Sequence, residues 1–265
     1  MRNFLNGQTF YLKKDTTFRS ICFIFLIGSI ALLVLTVSKG GLDISSPMKP
    51  LSMAASFSLF LYFVIPMQAC FFSTEGFEYG SVKNIIASGQ SRTSYFMGKF
   101  LSEIKVIIWC VLQFTGLFYV LYMIVTLISG AHIGDDSLRE DAIAGFTALG
   151  FNIMYLAAYS AIVMMVGMLV RKTASAIIIT FVIIFGDFLL SGYLKDSSSA
   201  FLRMVSDNTL MTQILKFSGM YVKDSERVLL TSMNDYVHVG LIPLIIIAIC
   251  LTVTVISFEK RDIHT

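Results

Sequence analysis

Residues 74–100 read TEGFEYGSVKNIIASGQSRTSYFMGKF, a polar stretch punctuated by glycine and set between two long apolar runs. A plain connection between two membrane spans needs only a few residues, so a segment of this length asks for a role of its own. Within it, EYGSVKNIIASG reads as a short helix. Phe77, Ile85 and Ile86 share one broad face, while Glu78, Lys83 and Asn84 project toward water or a partner. Glu75 and Glu78 at its start and Lys83 further on suit the helix dipole. Gly80 weakens the first turn by about 1 kcal/mol. Gly89 marks the stop, and Ser91 is placed to cap the next helix. The pattern predicts a short helix lying across the ends of two spans with one face exposed. The plain alternative is a re-entry turn that only connects them.

The rest of the chain sets this segment in a bilayer. Of 265 residues, 56% are hydrophobic and only 14% charged, with a mean hydropathy of +0.78. A soluble domain carries about a quarter charged residues. A net charge of +3 gives no case for a nucleic-acid partner. Cys22, Cys70, Cys110 and Cys250 all fall inside apolar stretches without CxxC spacing, and read as small buried hydrophobes rather than disulfides or metal ligands.

Six segments reach the length of about 20 apolar residues that a span requires: 20–38, 51–73, 101–129, 142–170, 174–194 and 237–258. The third and fourth are long enough to tilt or protrude. The first is too long for a cleavable leader and is followed by no small-residue cleavage site, so it is expected to remain as an anchor. Six spans put both termini on one side. That side carries Arg2, Lys13, Lys14, Arg19, Lys83, Arg92, Lys99, Arg171, Lys172, Lys260 and Arg261. The two short loops opposite hold Lys39, Lys49 and Arg139, the second made acidic by Asp135, Asp136, Glu140 and Asp141. By the positive-inside rule both termini are cytoplasmic. The cytoplasmic face then comprises an arm (1–19), the segment 74–100, the RKTAS turn (171–175) and a short tail (259–265). The outer segment 195–236 contains FLRMVSDNTLMTQILKFSGMYV, which reads as one or two short amphipathic helices at the outer interface. A folded outer cap with no further role reads equally well. No internal repeat of the inverted-transporter kind stands out.

The run Glu78, Gly80, Ser81, Lys83, Asn84, Gly89, Ser91 and Arg92, followed by Gly98-Lys99, resembles the first cytoplasmic loop of ABC-2 type exporter permeases. The likeness is to the Firmicute branch that includes bacitracin-resistance, lantibiotic-immunity and modulin-peptide exporters. It extends over the whole chain in layout: a basic amphipathic arm, six spans, this loop after span two and a larger outer segment before span six. The resemblance implies an all-α integral membrane fold with the ABC-2 (type V exporter-like) layout. It makes 74–100 a cytoplasmic coupling loop seated on a separate ABC ATPase, present in two copies, with Glu78 through Arg92 as the docking element. The arm, with Phe4, Leu5, Phe10, Tyr11 and Leu12 beside Lys13 and Lys14, becomes an interfacial connecting helix. A second permease copy, or a similar permease, completes the assembly in a bacterial plasma membrane.

No motor is found in the chain. A phosphate-binding loop needs GxxxxGK[ST], and the one GK, Gly98-Lys99, precedes Phe100 and lacks the upstream glycine. ATP and Mg are therefore expected on the partner ATPase, and no cofactor here. His132, His238 and His264 lie in an outer loop, at a span edge and in the tail, so neither a zinc set nor a triad assembles. Among in-span polar groups, which default to functional hypotheses, Asp187 is the one deep carboxylate, with Asn152 and Gln113 at comparable depth. These three are candidates for a translocation pathway. For Asp187 a helix–helix hydrogen bond, or proximity to the outer interface given Lys195, reads at least as well. Glu103 and Lys105, at the start of span three, ask for no special role. The 23 Phe and 14 Met suit either varied apolar cargo or contact with lipid.

The sequence thus reads as the membrane subunit of an ATP-driven exporter of an amphipathic peptide or hydrophobic antibiotic. Two alternatives stay open: a non-transporting scaffold or sensor that docks an ATPase through the same helix, and a lipid or glycolipid exporter.

Overall fold

The computed structural model describes residues 2–260 except 43, 57, 135–137, 195–196, 219, 221, 224–225 and 228–231. Asp135, Asp136, Lys195, Arg261 and His264 lie outside the described residues. The chain folds as α1 (Arg2–Lys14), α2 (Thr16–Gly40), α3 (Lys49–Ser56), a 3-10 turn (Ser58–Phe60), α4 (Leu61–Glu78), α5 (Ser81–Ala87) and α6 (Arg92–Ser129). There follow α7 (Leu138–Val170), α8 (Thr173–Tyr193), α9 (Ala200–Asp207), α10 (Leu210–Phe217) and α11 (Met233–Lys260). A two-residue hairpin pairs Val222–Lys223 with Glu226–Arg227 between the last two helices.

Five of these helices, α2, α6, α7, α8 and α11, are long and apolar enough to cross a membrane. The protein is a membrane-embedded helical bundle. The second expected span, 51–73, is not a single helix. It is split into α3, the 3-10 turn and α4, and no piece reaches the length and apolarity of the other five. Two features set α4 apart. Pro66, six residues past the 3-10 turn, removes one backbone donor inside the helix. The lower half also carries Gln68, Ser73, Thr74 and Glu75, which dilute its apolar character.

Burial explains how α4 tolerates those residues. It packs mainly against α7 and α8, and Gln68, Ser73, Thr74 and Gly76 are all buried in protein. Polar groups at membrane depth persist where neighbouring helices enclose them. The helix α7 is the centre post: 61% of its apolar window is buried, against 17% for α8, 22% for α11 and 28% for α2. The outer faces of α2, α8 and α11 display Phe, Ile, Leu and Val, as surfaces in contact with hydrocarbon do. At the α4–α7 crossing Gly167 lets the helices approach closely, since a Cβ there would come within 2.2 Å of the Ser73 hydroxyl.

Local signals close the helices. Asp15 caps α2 by accepting from the Thr17 and Phe18 amides at 3.2 and 3.0 Å. Ser91 caps α6 by accepting from Ser94 N–H at 3.1 Å, and Gly130 ends that helix in the left-handed conformation. The α7–α8 turn is only Arg171 and Lys172, and Arg171 takes a positive φ of 60° to make it. In the 195–236 segment the two short helices differ. Phe201 and Met204 of α9 are exposed, whereas Leu210–Ile214 of α10 are buried in the bundle.

Candidate functional site

One end of the bundle gathers α1, the last turn of α4, α5, the first turns of α6, the Arg171–Lys172 turn and the end of α11. Phe4 of α1 packs against Tyr95 of α6, and its ring sits so close to Gly98 that a Cβ there would come within 2.5 Å. Phe77 and Tyr95 both meet Phe258 of α11. At 38 residues α6 is about 57 Å long against a hydrocarbon core of about 30 Å. The helix is therefore about 27 Å longer than the core is thick.

The short helix of the 74–100 segment begins at Ser81, later than the sequence pattern suggests, and Glu75, Phe77 and Glu78 belong to the last turn of α4. Gly80 sits between the two helices at φ 67°, a left-handed conformation that glycine adopts without strain. Gly89, at φ 96°, makes the second corner beyond α5. Between these corners α5 buries Val82, while Lys83, Asn84, Ala87 and Ser88 face outward.

The eight residues of the expected docking element therefore divide. Lys83 and Asn84 form the exposed face. Gly80 and Gly89 set the corners, and Ser91 is the cap. The Ser81 hydroxyl turns back to the Gly76 carbonyl at 3.4 Å. Glu78 is occupied within the chain, accepting from Thr173 N–H at 2.8 Å and so capping α8 from a distance. Arg92 is occupied as well, donating to the Phe258 and Glu259 carbonyls at 3.0 and 3.1 Å and tying α6 to α11. Thr93 adds a bond to the Glu259 carboxylate at 2.5 Å.

The in-span candidates fall into two places. Asp187 accepts from the Tyr159 hydroxyl and, at 3.0 Å, from Met211 N–H at the start of α10. Asn152 accepts from the Tyr62 hydroxyl at 2.8 Å and donates to the Ala148 carbonyl at 2.9 Å. The Tyr62 and Tyr159 rings meet edge-on at 5.8 Å, which joins Asp187 and Asn152 in one buried network across α4, α7, α8 and α10. Gln113 is elsewhere, donating to the Cys22 carbonyl at 2.8 Å and holding α6 to α2.

Sequence reasoning passed over a second polar group at the same end. Lys99 and Glu103, four residues apart on α6, are 5% and 0% exposed. The Lys99 amine donates to the Phe72 carbonyl at 2.5 Å and lies 4.1 Å from the Phe72 ring centroid. The Glu103 carboxylate is buried beside the Gln68 side chain and the Lys99 amine, and the buried Tyr95 hydroxyl has no hydrogen-bond partner among the described residues. Across from Lys99, Glu75 accepts from the Tyr11 hydroxyl of α1. Burial, reinforced by that carboxylate, raises the Tyr11 phenol well above its ordinary value. The available signal was the i, i+4 spacing of two opposite charges in an otherwise apolar helix.

The sequence matches no protein-family model, and a comparison with curated proteins returned no relative.

Proposed function

We propose that this chain is the transmembrane subunit of an ATP-driven exporter of the ABC-2 kind, with both termini cytoplasmic in a bacterial plasma membrane. It would work as a pair with a second permease and bind two ATPase subunits. The observation that carries the reading is α5: a seven-residue helix between two glycine corners, with an outward Lys83–Asn84 face and a buried Val82 that keys it to the bundle. Such an element moves as a unit with the helices that flank it. A push on its outer face reaches α4 through Gly80 and α6 through the Ser91 cap. The bonds from Glu78 to α8 and from Arg92 to α11 carry the same displacement to two further helices. The cargo is an amphipathic peptide or a hydrophobic antibiotic, taken from the cytoplasm or the inner leaflet.

A mild-detergent pull-down of the tagged chain from its native membrane, with partners counted, tests this reading. A stoichiometric ABC ATPase is the expected result, with recovery reduced by Lys83→Glu and Asn84→Ala. Recovery of the intact chain without an ATPase, under conditions that preserve other membrane complexes, overturns it. Because Glu78 and Arg92 already hold partners within the chain, the docking test belongs to Lys83 and Asn84.

A further inference from the structure

A pocket of about 340 Å³ opens between α1, α4, α5 and α6, lined by Gln8, Tyr11, Glu75, Tyr79, Tyr95 and Lys99. Its two charged groups are of opposite sign and stay apart. Lys99 uses one donor on the Phe72 carbonyl and finds no acceptor for the others among the described residues. One Glu75 oxygen takes the Tyr11 hydroxyl, and the other takes no hydrogen bond among the described residues. Lys99 and Glu75 form no ion pair with each other among the described residues. A buried amine with spare donors costs free energy unless something accepts from it. The fully buried, unpartnered Tyr95 hydroxyl stands at the same wall, where a Cβ on Gly76 would come within 2.5 Å of it.

We infer that this pocket binds the headgroup of an aminophospholipid, with the phosphate on Lys99 and the primary ammonium on Glu75. A ligand of one sign would satisfy one of these groups and face the other with repulsion, whereas a small zwitterion satisfies both. Tyr11, Tyr79 and Tyr95 also line the pocket, and aromatic surroundings suit an ammonium. The volume lies at the low end for ligand pockets, which fits a headgroup and excludes a peptide cargo. The place fits as well. One wall is α1, which has a polar–apolar division and ends in Lys13 and Lys14, and another is the opening turns of α6, which carry Tyr95 and Lys99. The same chemistry in a soluble molecule is phosphoethanolamine. The inference does not depend on the exporter reading and survives its failure.

The test uses the purified full chain in detergent, titrated with dioleoyl-phosphatidylethanolamine, dioleoyl-phosphatidylglycerol and free phosphoethanolamine, with binding read by native mass spectrometry. The wild type is expected to prefer the ethanolamine lipid over the glycerol lipid by about tenfold, the size of one charge-assisted hydrogen bond. Glu75→Gln, which still accepts from Tyr11, is expected to remove that preference. Lys99→Met is expected to weaken both lipids. If Lys99→Met does not fold, the Glu75→Gln comparison decides alone, because Glu75 is only partly buried. Equal binding of lipid and free phosphoethanolamine keeps the site and assigns it a soluble ligand. Equal affinity for the two lipids that Glu75→Gln leaves unchanged, or no saturable binding, overturns the inference.

Discussion

Replacing Asp187 by alanine removes the acceptor that seats α10 in the bundle. Two hydrogen bonds are lost, one from the Tyr159 hydroxyl and one from the Met211 amide at 3.0 Å. Hydrogen bonds between membrane helices are worth about 0.6–1.7 kcal/mol each; the Tyr159 bond joins α7 to α8, so only the Met211 bond counts toward the docking of α10. Each 1.4 kcal/mol is tenfold in an equilibrium, and the undocked population is expected to rise by about 3- to 16-fold. Limited trypsinolysis reads this directly, since cleavage of a transiently opened segment follows its equilibrium population. Lys216 lies within α10, and Arg203 on the exposed α9 serves as an internal reference. The ratio of cleavage at Lys216 to cleavage at Arg203 should climb by that factor in Asp187→Ala and far less in Asp187→Asn, which still offers an oxygen. An unchanged ratio in Asp187→Ala would show that α10 is held by its apolar face alone and refute the assignment.

Three further outcomes are expected. Glu78→Ala strips α8 of its distant cap and should lower stability by about 0.5–2 kcal/mol, read by thermal unfolding in detergent, with Glu78→Gln closer to wild type because an amide oxygen still accepts. Even Gly98→Ala should free α1, because the new methyl collides with the Phe4 ring; a spin label at Gln8 should become more mobile, and an unchanged spectrum would contradict the close packing. Tyr11 gives a pH signature. Its pKa is raised in the folded state, first by burial and then by Glu75, so its contribution to α1 docking is complete below the ordinary tyrosine value of about 10 and is lost as pH rises beyond it. The same spin label should therefore stay immobile up to about pH 10 and loosen above, with that loosening missing in Tyr11→Phe.

Much of the molecule was legible because bilayer and turn chemistry act over short stretches of sequence. Long apolar runs announce α2, α6, α7, α8 and α11, and Gly89 and the Ser91 cap announce the end of α5 and the start of α6, whereas Gly80, read as part of the first turn, is the corner before it. The break within 51–73 was not legible, because hydropathy averages over the serines and Pro66 and does not reveal that protein encloses the segment. Glu78 and Arg92 read as outward charges because their partners, Thr173 and the Phe258–Glu259 carbonyls, lie about 95 and 166 residues away. Lys99 and Glu103 looked like interfacial charges for a related reason: which face of α6 turns toward α4 is decided by packing, and a single strand of letters does not carry it.

The split segment has a consequence for how the chain is made. Helix α4 carries Gln68, Ser73, Thr74 and Glu75, and its enclosure comes mainly from α7 and α8. Helix α7 begins at Leu138, 60 residues after Glu78, so at about 5–20 residues per second the ribosome delivers it roughly 3–12 s later. Through that interval the nascent α4 lacks its main partners and has α2, α5 and α6 alone among the described helices to pack against. Its enclosure is complete only once α7 and α8 arrive, which makes α7 the element on whose synthesis correct assembly waits.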